Sequence, residues 1–280
     1  MKIALCNEVL QPLPFGRQCE LAAALGYDGL EVAPFTLSGE PHRMRAEERA
    51  AIRRAAEGAG VRITGLHWLL LAPQGLSITS PDESLRLRTV DVMRRLVDLC
   101  ADLGGGVLVH GSPGQRQVPP GESRETAMAR ARDCFAAVAE RAAGRGVTYC
   151  VEPLSRHETQ VVNTLEEAAA IVDAIGSRWL RTMLDTSAAA RAEEIPIAEL
   201  IDRWLPTGYI AHVQVNDRSR RGPGEGEDRF APVFAALKRH RYGGVVSVEP
   251  FEYVPDGPGC AARAIGYIRG VLEGLEERRS

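Results

Sequence analysis

Four oxygen-bearing side chains close four successive apolar runs in the second half of this chain. Glu152 ends the run Val147–Glu152, Asp185 ends Leu180–Asp185, Gln214 ends Tyr209–Gln214 and Glu249 ends Val245–Glu249. The interior of a strand does not favour a carboxylate, because burying one unpaired costs several kcal/mol or forces it to take up a proton. Four such ends brought together would hold a divalent cation. The set is mostly hard oxygen, which suits Mn²⁺ or Mg²⁺ better than a structural zinc, with Co²⁺ and Zn²⁺ as alternatives. His212 lies two residues before Gln214, on the same side of its strand, so either of the two can supply the seventh-strand ligand. Other chemistry-bearing residues at ends of apolar runs are Asn7, Glu31, His67 and His110, and Trp68 directly follows His67. His42 and His240 read as surface histidines.

A charged, glycine-rich stretch, Asp217 to Phe230, follows the Gln214 run at once. It reads as a lid that brings an arginine, Arg220 or Arg221, over a polar substrate, because a guanidinium offers a planar fork to oxygen ligands.

Positioning these residues requires strands whose ends share one face. Strand-like runs are expected at Lys2–Cys6, Gly29–Ala33, Arg62–His67, Gly106–His110, Thr148–Glu152, Arg181–Asp185, Tyr209–Val215 and Val245–Glu249. Most are nearly continuous in apolar residues, as expected of strands covered on both faces. Between them, Arg17–Gly26, Ala46–Gly60, Pro81–Leu103, Ser123–Arg145, Thr164–Ile175, Glu193–Leu205, Phe230–His240 and Cys260–Arg278 carry apolar residues at helical spacing. Thr164 with Glu167 forms a capping pattern, Ser80-Pro81 a helix start, and several helices end on glycine. Strand ends recur about every 30–40 residues, one βα unit each. This is the pattern of a single α/β domain over residues 1–280, a (β/α)₈ TIM barrel, whose active sites lie at the C-terminal ends of the strands. No Gly-x-Gly-x-x-Gly follows the first strand, so a dinucleotide-binding fold has no support.

The chain has 280 residues, a net charge of −3 and 45 % hydrophobic residues. That balance gives no basic stripe for nucleic acid. No apolar stretch reaches the roughly 20 residues that span a bilayer, and the start, Met1 to Glu8, is too short and polar for a signal peptide. The six cysteines form no Cys-x-x-Cys pair. Cys6 and Cys150 lie in apolar runs and read as reduced core residues, and a cytoplasmic location is the default.

Several segments resemble the xylose-isomerase-like sugar (phosphate) isomerases and epimerases over nearly the whole chain. These are Val151-Glu152-Pro153-Leu154-Ser155-Arg156-His157-Glu158-Thr159, Met183-Leu184-Asp185-Thr186, His212-Val213-Gln214-Val215-Asn216-Asp217, Arg220 with the Pro-Gly-x-Gly loop, and Val248-Glu249-Pro250. The nearest branches are the D-tagatose/D-psicose 3-epimerases and the hydroxypyruvate isomerases. The resemblance implies one divalent metal, Mn²⁺ first, held by Glu152, Asp185, Gln214 and Glu249, with Glu152 and Glu249 doubling as acid/base groups. It implies that Glu158 and Arg220 hold substrate hydroxyls; His67, His110, His212 and Trp68 are the further candidates for substrate contacts. It also implies a small keto-sugar or polyol substrate and a homo-oligomer, dimer or tetramer. Two positions depart from the ketose epimerases. Gln214 stands where a His ligand is usual, as in the hydroxypyruvate isomerase branch, and Ala188 stands where a substrate-binding His is usual.

The expected chemistry is proton transfer beside the carbonyl of a keto-sugar through a metal-stabilised enediolate. A lyase or dehydratase of the same fold, acting on a keto-polyol or keto-glycoside, shares this ligand set. Less favoured readings are an apurinic endonuclease, which requires more histidine ligands, and a non-catalytic sugar-binding barrel.

Overall fold

The computed structural model describes residues 1–277. The strands are β1 (Lys2–Cys6), β2 (Gly29–Val32), β3 (Arg62–Leu66), β4 (Val107–His110), β5 (Thr148–Val151), β6 (Leu180–Asp185), β7 (Ile210–Val215) and β8 (Val245–Val248). Each pairs in parallel with the next, and β8 pairs with β1 through Lys2↔Val245 to Leu5↔Val248, closing the barrel. The helices are α1 (Phe15–Leu25), α2 (Ala46–Gly58), α3 (Glu83–Leu103), α4 (Arg124–Arg145), α5 (Leu165–Ile175), α6 (Thr186–Ala192), α7 (Ile197–Trp204), α8 (Ala231–Arg239) and α9 (Gly257–Glu277). The expected end of the last helix, Arg278, lies outside the described residues.

Strand alternation divides the apolar residues into two groups. One large core joins the outer face of the barrel to the helices and includes Leu5, Leu30, Leu108, Val213 and Val215. A small separate cluster of Val107, Val109, Cys150 and Met183 fills the inside. The six cysteines are all free and buried, Cys6 and Cys150 as expected. No described helix is long and apolar enough to cross a membrane.

Local sequence signals explain most boundaries. Gly104 and Gly146 stop α3 and α4 with φ of 85° and 67°, a left-handed conformation that costs glycine little. Thr164 caps α5 by accepting from the Glu167 amide. The α3 start differs from expectation. Its cap is Asp82, which accepts from the amides of Ser84 and Leu85, while the Ser80 hydroxyl is taken by the Asp82 amide. His42 also differs: it is 7 % exposed, tucked into the turn Pro41–Arg43.

His67, Glu152 and Glu249 each lie one residue past their strands rather than within them. The Glu152 amide still reaches the His110 carbonyl, and the Glu249 amide reaches that of Val215, both at 3.2 Å. Each glutamate precedes a proline, which has no N–H to extend the ladder, so pairing stops and the carboxylates sit on the rim.

Candidate active site

Glu152, Asp185 and Glu249 leave β5, β6 and β8 at the C-terminal mouth, and one oxygen from each lies within 4.8 Å of the others. All three are buried, at 7 %, 4 % and 5 % exposure. Burial and then the neighbouring charges of Glu249 and Asp185 push the Glu152 carboxyl well above the usual range. Burial likewise brings Asp185 to about 7, against the bond from the Ala188 amide. Glu249 stands at about 8, raised by burial and partly restrained by its hydrogen bond from His67. Three buried carboxylates this close do not ionise together without a positive partner.

Asp185 is the cap of α6, with Oδ1 accepting from the Ala188 amide at 2.7 Å, while Oδ2 has no partner. Gln214 pairs with Asp185 across β6 and β7. Its Nε2 donates to Glu31 Oε1 at 3.2 Å, and its buried Oε1 has no partner. His212 Nε2 bonds the other oxygen of Glu31 at 2.8 Å. Burial pushes the Glu31 carboxyl up, but His212 outweighs it and holds it at about 2. His212 is therefore committed to Glu31 inside the barrel, while the Gln214 oxygen beside it is free to serve a cation. Asn216 ties the strand ends together, its side chain accepting from the Ser187 amide and donating to the Glu249 carbonyl. Orphaned buried oxygens on Asp185 and Gln214, beside two further carboxylates, fit a hard divalent cation.

The carboxylates open onto a space of about 300 Å³ lined by His67, Trp68, Glu152, Glu158, Glu249 and Phe251, with Gly111, Ser112, Pro113 and Leu154. His67 bridges Glu249 through Nδ1 at 2.8 Å and Glu8 through Nε2 at 3.0 Å. Burial disfavours its imidazolium, yet Cys6 and Glu8 hold its pKa well above the usual value. Trp68 has φ 50°, unusual for a bulky residue, and packs edge-on to Phe251. Glu158 is fixed by the Ser155 hydroxyl at 2.8 Å.

The remaining sequence candidates are placed differently. His110 points out of the barrel, with Nδ1 on the Tyr149 hydroxyl at 2.7 Å and its ring against Phe135, so it does not face this space. His212 does not line it either. The guanidinium of Arg220 lies 4.6 Å above the Phe251 ring, one side chain removed from the cavity. The loop carrying it folds around Asp217, whose carboxylate takes the amides of Ser219 and Asp228. Arg221 reaches Glu252, at 4.0 Å.

Three contributors were not singled out from sequence. Glu8 follows Asn7 in a short turn after β1, and Asn7 itself braces the neighbouring loop through Ala33, Gln18 and Thr36. Phe251 follows the Glu249-Pro250 pair, two residues past the carboxylate. Arg116 is fully buried with all three guanidinium nitrogens unpartnered; burial lowers its pKa to about 10, and the charges of Glu152 and Glu158 oppose this.

The family described as the xylose isomerase-like TIM barrel matches residues 19–271. A D-psicose 3-epimerase of Agrobacterium fabrum is 28 % identical over 85 % of this chain and 79 % of its own length. Another, from Ruminiclostridium cellulolyticum, is 29 % identical over 92 % of this chain and 85 % of its own. The fold is similar to a D-psicose 3-epimerase crystallised in the presence of D-fructose, with a TM-score of 0.83, 23 % identity and coverage of 97 % and 99 %.

Proposed function

The chain belongs to the xylose isomerase-like TIM barrel family, and from that premise we propose that it is a metal-dependent epimerase of a free keto-sugar, acting at C3. The observation that carries this reading is the convergence of Glu152 and Glu249 from separate strands onto one buried space beside Asp185. Relatives named as D-psicose 3-epimerases support the reaction.

In this proposal, one of the two glutamates takes the proton from the carbon beside the ketone, and the other returns a proton to the opposite face. His67 holds Glu249 in place through its Nδ1 bond. Glu158 accepts a hydrogen bond from a substrate hydroxyl, and Trp68, Leu154 and Phe251 keep water from the reacting carbon. Glu152, Asp185, Gln214 and Glu249 would hold a divalent cation, with Mn²⁺ the best match to four oxygen donors. Such a cation supplies Lewis acidity that stabilises negative charge on the carbonyl oxygen. The lining residues include no Lys or Arg, which favours an unphosphorylated sugar. Six buried free thiols support a reducing, cytosolic setting.

The test is incubation of the Mn²⁺-loaded protein with the free ketoses D-fructose, D-psicose and D-tagatose and, separately, with their phosphates, and chromatography of the products. The expected result is a C3 epimer of unchanged mass. An aldose product, loss of water, or conversion of phosphorylated ketoses alone overturns the proposal, loss of water in favour of the lyase reading.

A further inference from the structure

We propose that a second cation site adjoins the first, built from Cys6, Glu8, His67 and Glu249 and suited to Zn²⁺. Each of these residues offers one ligand atom, and all lie within 4.8 Å of one another. They come from the end of β1, the turn after it, and the ends of β3 and β8. Exposures of 0 %, 9 %, 1 % and 5 % make this an interior cluster rather than a solvated charge patch.

The donor set differs in kind from its neighbour. One thiol, one imidazole and two carboxylates form the mixed sulfur, nitrogen and oxygen set that a tetrahedral Zn²⁺ takes. A separate observation points to a missing partner. Glu8 is nine-tenths buried, yet its Oε1 has no hydrogen bond, and only Oε2 is taken, by His67. A carboxylate oxygen in that position is costly unless something positive meets it. His67 and Glu249 also line the 300 Å³ space, so a cation can reach the cluster through the barrel mouth.

Binding has a definite charge balance. Two protons pass to solvent: the Cys6 thiol gives up its proton to bind as thiolate, and the hydrogen-bonded chain of Glu8, His67 and Glu249 gives up the proton on the ring nitrogen that turns to the cation. Glu249 belongs to both clusters and would bridge the two cations. The inference rests on the β1, β3 and β8 ends and stands whether or not the protein epimerises ketoses.

The experiment is titration of Co²⁺ into chelator-stripped protein, followed by near-ultraviolet absorbance and bound-metal analysis. Wild type should bind two equivalents, one bringing a thiolate-to-cobalt charge-transfer band. Cys6→Ser should lose the band and one equivalent. Asp185→Asn should keep the band and lose the other equivalent, which separates this site from the oxygen-rich one. Glu8→Gln, at a less deeply buried position, should weaken the band-forming step by at least about tenfold. Absence of the band in wild type at excess Co²⁺, or a band that survives Cys6→Ser, overturns the proposal. A band in a wild type that binds only that one equivalent upholds this site and counts against the oxygen-rich one.

Discussion

Glu31 accepts a 3.2 Å hydrogen bond from Nε2 of Gln214, and this bond orients the carboxamide so that its oxygen is left without a protein partner. A glutamine is symmetric in shape but not in charge, and only the oxygen can serve a cation. Glu31 can select that orientation because it stays ionised, His212 holding its carboxyl at about 2. Glu31→Gln removes the selection, since a neutral partner accepts either end of the amide. The expected outcome is a 10- to 100-fold weaker Mn²⁺ affinity, by order of magnitude, as for other residues that orient ligands. Electron paramagnetic resonance of free Mn²⁺ measures it, and unchanged affinity would remove Glu31 from the site.

Gly111 has no room for a side chain. A Cβ there would overlap Oε2 of Glu152. Gly111→Ala must therefore move the carboxylate that the proposed chemistry requires. Overpacking of this kind costs about 1–3 kcal/mol of stability. A displacement near an ångström lowers turnover by roughly a hundredfold. Parallel thermal melts and kcat measurements separate the two effects. A modest loss of stability with a large loss of kcat is expected; unchanged kcat contradicts the placement of Glu152.

Without a divalent cation in the site, stability should fall as pH rises. Asp185 at about 7 and Glu249 at about 8 both stand above their unfolded values, so the folded chain binds more protons than the unfolded chain in between. Stability from these groups is complete below about pH 4, where both states are protonated. It is lost progressively as pH climbs through 7 and 8, the folded-state values. Melting in the presence of a chelator should give a lower Tm at the alkaline end of that window than at its acidic end, and Mn²⁺ should restore most of the difference. A chelated protein whose Tm rises across this range would contradict the crowding of these carboxylates.

The barrel was legible because its strands are short apolar runs at regular spacing, and Glu152, Asp185, Gln214 and Glu249 because an oxygen at the end of such a run breaks the pattern. Histidine roles were harder. His110 follows Val107 and Val109, which fill the barrel, so alternation turns it outward toward Phe135. Which of those residues faced inward was not evident from an unbroken apolar run. The choice between His212 and Gln214 depends on Glu31, 183 residues from Gln214 in sequence and across the barrel in space. Glu8 escaped notice because the chain leaves β1 through a turn, Asn7–Leu10, in which strand alternation no longer applies.

The central claim, that one of Glu152 and Glu249 removes a proton from a carbon beside a ketone and the other returns one, is tested most directly in D₂O. Mn²⁺-loaded protein is incubated with a free ketohexose, and C3 of substrate and product is followed by NMR. The product epimer should carry solvent deuterium at C3. Glu152→Gln and Glu249→Gln, measured at saturating metal, should each lose epimerisation by at least about a hundredfold. A product without solvent deuterium, or either variant retaining the wild-type rate, would contradict the account.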